Sequence, residues 1–504
     1  MADTTVLIAG AGPAGLAAAA ELGFHGIDCI AVEPRTEVSH RRPRAKTTSA
    51  RTMEHFRRWG IAGKLRAAAP LPVAWSQRVT FCESLTGRRI TDFDHAFALY
   101  TEPDERFAEP GQQVPQPVVE DVLREHVSAL PAARLRLGDR VESLEQDADG
   151  VTTKVGRPDG TAYQIRSSYV LGCDGASGVV RDQVGAVYEG HADPRPNFNF
   201  VFRARDLDTH LGPSVQYWVL GKNIAGLVGR LDLNGTWWAI MSGIDEQYGN
   251  AHASELLRGL IGRPFEHEIL ATDPWTARMM IADRFSSGRV FLVGESAHLN
   301  PPWGGHGFNT SVGDAVNIGW KIAAVERGWA PPALLASYDR ERRGVAEQTI
   351  AVAAANMKAL ARSLPTDAES IQRAKYAEFH SLGLVLGYSY AGSPVIQPGP
   401  APATDTTAYT PVTDPGARLP HHWLADGSSL YDHLGPGFTL LGPRRDRGLG
   451  APPDLPLKIM EGPPDYPWRD EYLLVRPDQH IAWRATEPEQ IDFGLVTGEK
   501  LASS

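Results

Sequence analysis

The sequence has none of the patterns that mark a membrane-spanning, secreted or nucleic-acid-binding protein. No stretch approaches the ~20 consecutive apolar residues that a membrane-spanning helix needs, and no signal segment precedes the first strand pattern, which begins by Thr5. The 50 Lys and Arg residues are outnumbered by 60 Asp and Glu residues, which gives a formal net charge of −10. This balance does not favour nucleic acid or an anionic membrane as a partner. We therefore expect neither partner, and a cytoplasmic location.

Cysteine is scarce as well. Cys29, Cys82 and Cys173 are scattered, and no pair of them has CxxC or metal-ligand spacing. The sequence therefore predicts no disulfide framework and no metal site.

The composition is that of an ordinary globular protein of several domains. The chain has 504 residues, of which 42% are hydrophobic and 22% are charged. This length exceeds what one small core supports, so two or three domains are expected.

Residues 4–33 read as a strand, a tight turn, an Ala-rich helix and a second strand. Gly10, Gly12 and Gly15 fit GxGxxG between the first strand and the helix, and Glu33 ends the second strand. In this motif a pyrophosphate lies at the helix N-terminus and the acid contacts a ribose hydroxyl. The pattern predicts an adenine dinucleotide without a 2′-phosphate, either FAD or NAD; a glycine turn without a ligand is the alternative.

Residues 288–325 read as a buried strand over 289–293, a Gly- and Pro-rich loop, and a long helix. Gly304, Gly305 and Gly307 allow a close approach of the backbone, and Asn309 and Thr310 are expected to cap the helix. The free amides of such a helix start suit a group that carries negative charge. The alternative is an ordinary strand–loop–helix crossover.

Two acidic residues follow short apolar strands. Asp174 follows residues 169–172, and Glu295 follows the strand at 289–293. Because the carboxyl ends of parallel strands share one edge, we expect both acids beside the first glycine turn. Ser177 is expected to cap the short helix after Asp174.

Residues 187–280 alternate polar and apolar positions and predict an inserted antiparallel sheet, a natural roof for a substrate. Its aromatic residues, among them Tyr217, Trp218 and Trp238, line a pocket in this interpretation, or simply pack the core. Residues 116–127 predict an amphipathic helix that starts at Gln116, and residues 134–156 predict a small meander of three strands. Residues 393–420 read as a linker, before a C-terminal unit with a hairpin at 471–485.

These motifs resemble a known family. GAGPAG with Glu33, CDGASGVVR at residues 173–181 and GESAHLNPPWGGHGFN at 294–309 resemble the FAD motifs of single-component aromatic hydroxylases, the p-hydroxybenzoate hydroxylase-like flavoprotein monooxygenases. The C-terminal segments resemble the thioredoxin-like domain of the phenol, dichlorophenol and polyketide hydroxylase branch, which lacks CxxC.

The resemblance implies an α/β fold with a Rossmann-like FAD-binding domain, an inserted antiparallel β-sheet substrate domain and a C-terminal thioredoxin-like domain. The expected boundaries are 1–186 and 281–392 for the FAD-binding domain, 187–280 for the substrate domain, and 393–504 for the linker and thioredoxin-like domain. Residues 75–110 are expected to add to the substrate pocket.

The implied activity is hydroxylation of a phenolic or polycyclic aromatic substrate with NADH or NADPH and O2, through a flavin C4a-hydroperoxide. Baeyer–Villiger-type insertion of oxygen next to a polyketide ketone, or a non-oxygenating FAD reductase or binding protein, are the alternatives. A monomer or a homodimer is expected.

The resemblance also implies roles for individual residues. It places Pro302 beside the flavin ring as a catalytic candidate. His306 is a second catalytic candidate, from its place in the glycine loop alone, and a loop histidine with no chemical role is the alternative. The substrate-pocket candidates are Tyr217, Trp218, Trp238 and His95. The expected cofactor contacts are Gly10, Gly12, Pro13, Ala14, Gly15, Glu33, Arg35, Arg44, Gln116, Asp174, Glu295, Pro302, Gly305, Gly307, Phe308 and Asn309. The chain departs from the family pattern at Glu295, where Asp is usual, at Ser177, which stands one place early, and at Ser311, where Gly is usual.

Overall fold

The computed structural model describes residues 2–40, 46–359, 367–443 and 450–502. The strands, in chain order, are β1 Thr4–Ala9, β2 Cys29–Glu33, β3 Thr47–Thr48, β4 Val79–Cys82, β5 Arg89–Phe93, β6 Gln112–Gln113, β7 Ala133–Leu137, β8 Arg140–Gln146, β9 Val151–Gly156, β10 Ala162–Gly172, β11 Tyr188–Arg203, β12 Gln216–Leu220, β13 Ala225–Arg230, β14 Thr236–Ser242, β15 Glu268–Ala282, β16 Ser286–Ser287, β17 Val290–Leu292, β18 His298–Leu299, β19 Phe438–Gly442, β20 Leu457–Glu461, β21 Tyr472–Val475 and β22 Ile481–Ala485. The helices are α1 Pro13–Phe24, α2 Ala50–Arg58, α3 Ala62–Ala68, α4 Gln116–Ala129, α5 Val179–Gln183, α6 Glu246–Ala251, α7 Ala253–Ile261, α8 Gly307–Glu326, α9 Ser337–Lys358, α10 Ala368–Phe379, α11 Leu382–Leu386, α12 Phe493–Val496 and α13 Glu499–Ala502.

The first sheet has a parallel centre in the order β17-β10-β1-β2-β7. The central strands β1 and β2 are buried almost throughout, as strands covered on both faces must be. Helices α1 and α8 pack closely. The absence of a side chain at Gly319 of α8 permits this approach, since a Cβ added there would lie 2.6 Å from Cγ of Glu21 in α1. The expected meander at 134–156 is wrong in its first strand, since β7 pairs with β2 in parallel, whereas β8 pairs with β9 and β9 with β10 in the antiparallel sense.

The second sheet has the order β18-β15-β11-β14-β13-β12-β4-β5, and all of its pairs are antiparallel except β12 with β4. One face packs Phe198, Phe200 and Trp237 against α7. We call the opposite face the roof. It meets the part of the chain that carries the first sheet, which we call the first domain. Trp238 contacts Lys46, and Trp275 lies 6.1 Å from Trp303 between ring centroids. Strands β4 and β5 precede the insertion in the chain, so the roof is built from two separate segments.

The C-terminal unit has a four-stranded mixed sheet in the order β20-β19-β21-β22. Residues 393–420 have no helix or strand in the structure. Val395 and Arg418 are buried, and Arg418 donates to the carboxylate of Glu54 in α2. Buried contacts therefore anchor both ends of this segment, whereas residues 397–412 are exposed or half-buried, and its assignment as a linker stays a prediction.

The hairpin turn between β21 and β22, residues 476–480, reaches into the first domain. Arg476 lies 2.8 Å from Glu341, and Gln479 accepts a 2.5 Å hydrogen bond from Arg51. No helix in the described part of the chain is long and apolar enough to cross a membrane.

Candidate active site

The first glycine turn has a shape that only glycine permits. Gly10 has φ +95°, and a Cβ there would lie 2.5 Å from the carbonyl oxygen of Cys173. A Cβ at Gly15 would lie 1.9 Å from the carbonyl oxygen of Gly10. Gly12 precedes α1 without any side-chain cap, and Pro13 opens the helix. The amides of the first turn are therefore open to a ligand, and a phosphate suits them.

Glu33 joins a hydrogen-bonded network beside this turn. Its carboxylate accepts from the amide of Ala11 at 2.9 Å and from Nε of Arg35 at 2.7 Å. Arg35 also reaches Glu120 at 3.3 Å, and Gln116 donates to Glu120 at 2.7 Å. The structure thus brings the predicted residues Glu33, Arg35 and Gln116 together through Glu120. Glu120 was not predicted, although it stands four residues after Gln116 on the same helix face.

Asp174 lies at the carboxyl edge of β10, next to the glycine turn, as expected. Its carboxylate accepts from the amide of Val180 and from the hydroxyl of Ser296, both at 3.0 Å. Burial raises the pKa of this carboxyl. The expectation that Ser177 caps the following helix is wrong: α5 begins at Val179, and Asp174 supplies the acceptor.

Glu295 is exposed at the edge beyond β17. The neighbouring Gly294 packs against the start of α1, since a Cβ added at Gly294 would lie 3.0 Å from Cβ of Ala14. The carbonyl oxygen of Glu295 accepts from the hydroxyl of Tyr188. The structure therefore places Glu295 and Ala14 at one edge of the sheet.

A buried charged group that sequence reasoning missed lies behind this edge. Asp314 of α8 accepts from Nε2 of His298 and from Nε of Arg342, both at 2.7 Å, and from the amide of Gly294 at 3.2 Å. Burial alone raises the pKa of Asp314, but Arg342 and His298 outweigh it and hold that pKa below its usual value. The sequence did contain a sign of this buried group, because Asp314 is an acidic residue among the apolar positions of α8.

The loop of residues 302–306, which we call the flavin loop because the family resemblance leads us to expect the flavin there, turns through two glycines. Gly304 has φ +89° and Gly305 has φ +70°, and a Cβ at Gly305 would lie 2.9 Å from Cβ of Thr47. Helix α8 then begins at Gly307 with His306 before it and no side-chain cap. Gly307 and Phe308 lie in its first turn, where amides lack intrahelical partners. Pro302 is exposed, and its carbonyl accepts from the amide of Gly305 at 3.0 Å.

The expectation that Asn309 caps this helix is wrong, because the helix starts two residues earlier. The Asn309 side chain accepts from the amide of Ser49 at 2.9 Å, and it donates to the carbonyls of Thr47 at 3.0 Å and Gly305 at 2.7 Å. Asn309 therefore ties the flavin loop to the segment between β3 and α2.

His306 is 5% exposed, and its Nε2 has no hydrogen-bond partner. Burial lowers the pKa of this imidazole to about 4, so His306 is neutral at pH 7. A neutral ring can donate or accept one hydrogen bond, but it is a weak base. Its catalytic role stays a prediction.

A partly open cavity adjoins the flavin loop, and its outline encloses about 330 Å³ including the solvent-filled mouth. Its walls include Thr47, Phe97, Gly305, His306 and Leu382. Phe97 has φ 59° and the adjacent Ala98 has φ 56°, a conformation that side-chain-bearing residues rarely adopt. Such strain clusters at functional sites. No sequence motif marks the parts of the wall that α11 and residues 97–98 supply, so these wall residues could not be picked out individually from the sequence.

The residues predicted to line the substrate pocket lie on different surfaces of the structure. Tyr217 faces α7 on the far side of the second sheet, where its hydroxyl donates to the carbonyl of Gly212 at 2.5 Å. Its prediction is therefore wrong, because alternate residues of a strand point to opposite faces. Trp218 and Trp238 lie on the roof. His95 is exposed and bonds to Gln77 at 2.8 Å, so it is not a wall residue. Arg44 lies outside the described residues.

The open amides at α1, the flavin loop and the unpartnered Nε2 of His306 fit an elongated dinucleotide with a planar ring. The fold and this site together define a flavin-binding oxidoreductase. A family model described as FAD binding domain matches residues 3–353, and one described as Aromatic-ring hydroxylase, C-terminal, matches residues 412–498. The chain belongs to this family of FAD-dependent aromatic-ring hydroxylases, which are monooxygenases.

Individual relatives agree with this assignment. The chain is 31% identical to 2,4-dichlorophenol 6-monooxygenase of Delftia acidovorans over 96% of its own length and 95% of that protein. It is 30% identical to a putative polyketide hydroxylase of Streptomyces halstedii, over 96% of its length and 93% of that protein. The solved structure of the flavin-dependent monooxygenase PieE in complex with FAD and substrate superposes with a TM-score of 0.87, at 28% identity and full coverage of both chains. The predicted fold class, FAD and the monooxygenase assignment are confirmed.

Proposed function

We propose that this chain hydroxylates a phenolic or polycyclic aromatic substrate, with O2 as oxidant and NADH or NADPH as the source of electrons. The observation that carries this proposal is the cavity between the flavin loop, α11 and the strained segment at Phe97. Phe97, Leu382 and Val385 line this cavity with apolar side chains, which an aromatic ring would contact. The relatives named above act on a chlorinated phenol and, putatively, on a polyketide.

FAD, when bound, accepts hydride from the nicotinamide and activates O2, and the protein positions and shields it. In this proposal the open amides of Gly12 and Ala14 would hold the pyrophosphate, Pro13 fixes the start of the helix, and Glu33 would hold the adenosine ribose. Asp174 and Glu295 would contact the part of FAD between its phosphates and its ring. The helix dipole at the first turn of α8 would stabilise the negative charge that the flavin gains on reduction.

The roof would shield the cavity from water. Trp218 stacks on Phe81 at 5.3 Å between ring centroids, and both pack on Phe379 of α10. This wall of aromatic side chains keeps water from the cavity, which limits wasteful release of H2O2. We propose that residues 187–280 form the substrate domain, with 1–186 and 281–392 as the FAD-binding domain and 393–504 as the C-terminal unit.

The test mixes the purified, FAD-loaded protein with NADH or NADPH and a panel of phenols and naphthols, and follows cofactor oxidation and product together. Substrate-stimulated oxidation with hydroxylated product is the expected result. Oxidation that yields only H2O2 for every aromatic compound would contradict the proposal. Incorporation of ¹⁸O2 next to a ketone with ring opening would identify Baeyer–Villiger-type chemistry instead.

A further inference from the structure

Lys46 is a cation that enters the boundary between the flavin loop and the roof. Its Nζ lies 3.7 Å from the centre of the Trp238 ring. Its backbone is held in place because its carbonyl accepts from the amide of Val114 at 2.8 Å, and β3 follows immediately. The next residue, Thr47, lines the cavity and accepts from Asn309. The amine is thus fixed relative to the flavin loop.

The contrast with two fully buried lysines shows that Lys46 is unusual. Lys321 lies 2.7 Å from the carboxylate of Glu341, and Lys375 lies 2.5 Å from that of Glu378. Within the described ranges, no carboxylate lies within ion-pair distance of Lys46, and burial alone lowers its pKa, to about 7. Lys46 itself is half-buried. An ionisable group that is partly withdrawn from water without a charged partner is costly, and such groups concentrate at functional sites.

Trp238 supplies a second unpartnered donor in the same contact. Its Nε1 is buried and has no hydrogen-bond acceptor. An ammonium and an indole N–H both need an acceptor, and a phenolic oxygen is one. Lys46 stands at the edge of the cavity, next to the wall residue Thr47, and the ionisable side chain in the wall itself is His306, which burial keeps neutral above about pH 4. β3 and β6 add only Thr and Gln side chains beside Lys46.

We propose that Lys46 binds the acidic hydroxyl of the substrate and takes its proton, so that a phenol is held as its phenolate. The O–H bond breaks, an N–H bond forms on Nζ, and the electron pair stays on the phenolic oxygen. This rests on the proposed function, because it names the ionisable group that the substrate must carry. The phenolate ring is richer in electrons than the phenol, which favours attack on an electrophilic oxygen.

The experiment measures ligand binding to the oxidised, FAD-loaded enzyme through changes in flavin absorbance. The ligands are 1-naphthol and 2,4-dichlorophenol, each paired with its methyl ether, which has no proton to give. The wild type, Lys46→Met, Lys46→Arg and the surface control Lys222→Met are compared, and flavin content and circular dichroism verify that each is folded and loaded.

At pH 8 the wild type and Lys222→Met are expected to bind each phenol roughly tenfold or more tighter than its ether, as a hydrogen bond to a charged group allows. Lys46→Met is expected to bring this ratio close to one while the affinity for the ether changes about twofold or less. For 1-naphthol, the wild-type affinity should fall as the pH drops below about 7, because Lys46 is then already protonated. Lys46→Arg keeps the charge but accepts no proton, so its affinity should follow the ionisation of the ligand itself.

A Lys46→Met enzyme that hydroxylates a phenol and keeps the wild-type preference overturns the role of Lys46 and leaves the proposed function intact. A Lys46→Arg enzyme with the wild-type pH dependence overturns the proton transfer. If the wild type binds and hydroxylates none of the phenols, the proposed function fails, and the role of Lys46 fails with it.

Discussion

The hydroxyl of Ser296 lies 3.0 Å from the carboxylate of Asp174, and it also accepts a hydrogen bond from the amide of Gly175 at 3.0 Å. These contacts join the carboxyl ends of β10 and β17, where Asp174 and Glu295 stand. Ser296 is therefore a positioning residue for the acid edge of the site.

Ser296→Ala should loosen this edge, because Asp174 loses one of its buried donors. We expect FAD affinity to fall about fivefold to tenfold, the equivalent of about 1 kcal/mol for one hydrogen bond. Fluorescence titration of the FAD-free protein measures this. Ser177→Ala is the control, since Ser177 is exposed and caps nothing. Equal losses in the two variants would contradict the role of Ser296.

Glu295→Ala should weaken FAD binding by roughly tenfold, because an exposed carboxylate at this edge accepts from a hydroxyl of the cofactor in our proposal. Glu295→Asp introduces the shorter carboxylate that the family resemblance leads us to expect at this position, and it should bind FAD at least as well as the wild type. The flavin-to-protein absorbance ratio after gel filtration reports both. An unchanged ratio in Glu295→Ala would remove Glu295 from the cofactor site.

Gly15→Ala should abolish FAD binding, because the new Cβ would lie 1.9 Å from the carbonyl oxygen of Gly10 and the turn cannot absorb this. Gly63→Ala in α3 is the matched control, since no atom lies within 4 Å of the Cβ that this substitution adds. It should keep full flavin content and gain up to about 1 kcal/mol of stability. Retention of FAD by Gly15→Ala would show that the turn differs from the one described.

His306 should make stability depend on pH. Its pKa is about 4 in the folded protein against 6.5 in an unfolded chain. The unfolded state thus binds the proton more readily, and the stabilisation present above pH 6.5 is lost as the pH falls towards 4. His306→Asn should show a loss smaller by about 2 kcal/mol over this range in urea unfolding. His191→Asn, at an exposed position, should behave as the wild type. Parallel curves for all three proteins would contradict the burial of His306.

Glu341→Gln should destabilise the protein strongly, because Glu341 is the shared partner of Lys321 at 2.7 Å and Arg476 at 2.8 Å. Breaking a buried ion pair on one side costs about 3–5 kcal/mol. Glu369→Gln removes an exposed pair with Arg373 and should cost less than about 1 kcal/mol. Denaturant midpoints compare the two variants, and a similar small loss in both would show that the network contributes little.

The sequence predicted most of the fold because its signals were local and repeated. Strands β1 and β2, the glycine turn and the helix from Gln116 were all found from spacing and turn residues. The side-chain partners were harder to predict, since they join distant segments. Asn309 looked like a cap in sequence, but it bonds to Thr47 and Ser49, which lie far away along the chain.

The errors at the roof have a related cause. Alternation along β12 shows that Tyr217 and Trp218 face opposite sides, but it does not show which side meets the cavity. That depends on the packing of α7 on one face and α10 on the other. Lys46 was overlooked within a basic cluster, because only the structure shows that Trp238 covers it.

The docking of the turn at 476–480 also sets the order in which the protein can mature. Glu341 and Lys321 leave the ribosome well before Arg476 does. Until that arginine arrives, the interior of the first domain lacks one of its charge partners, and the final packing must wait for the finished chain. A polypeptide released early would therefore fail even though every motif for the cofactor had already been made.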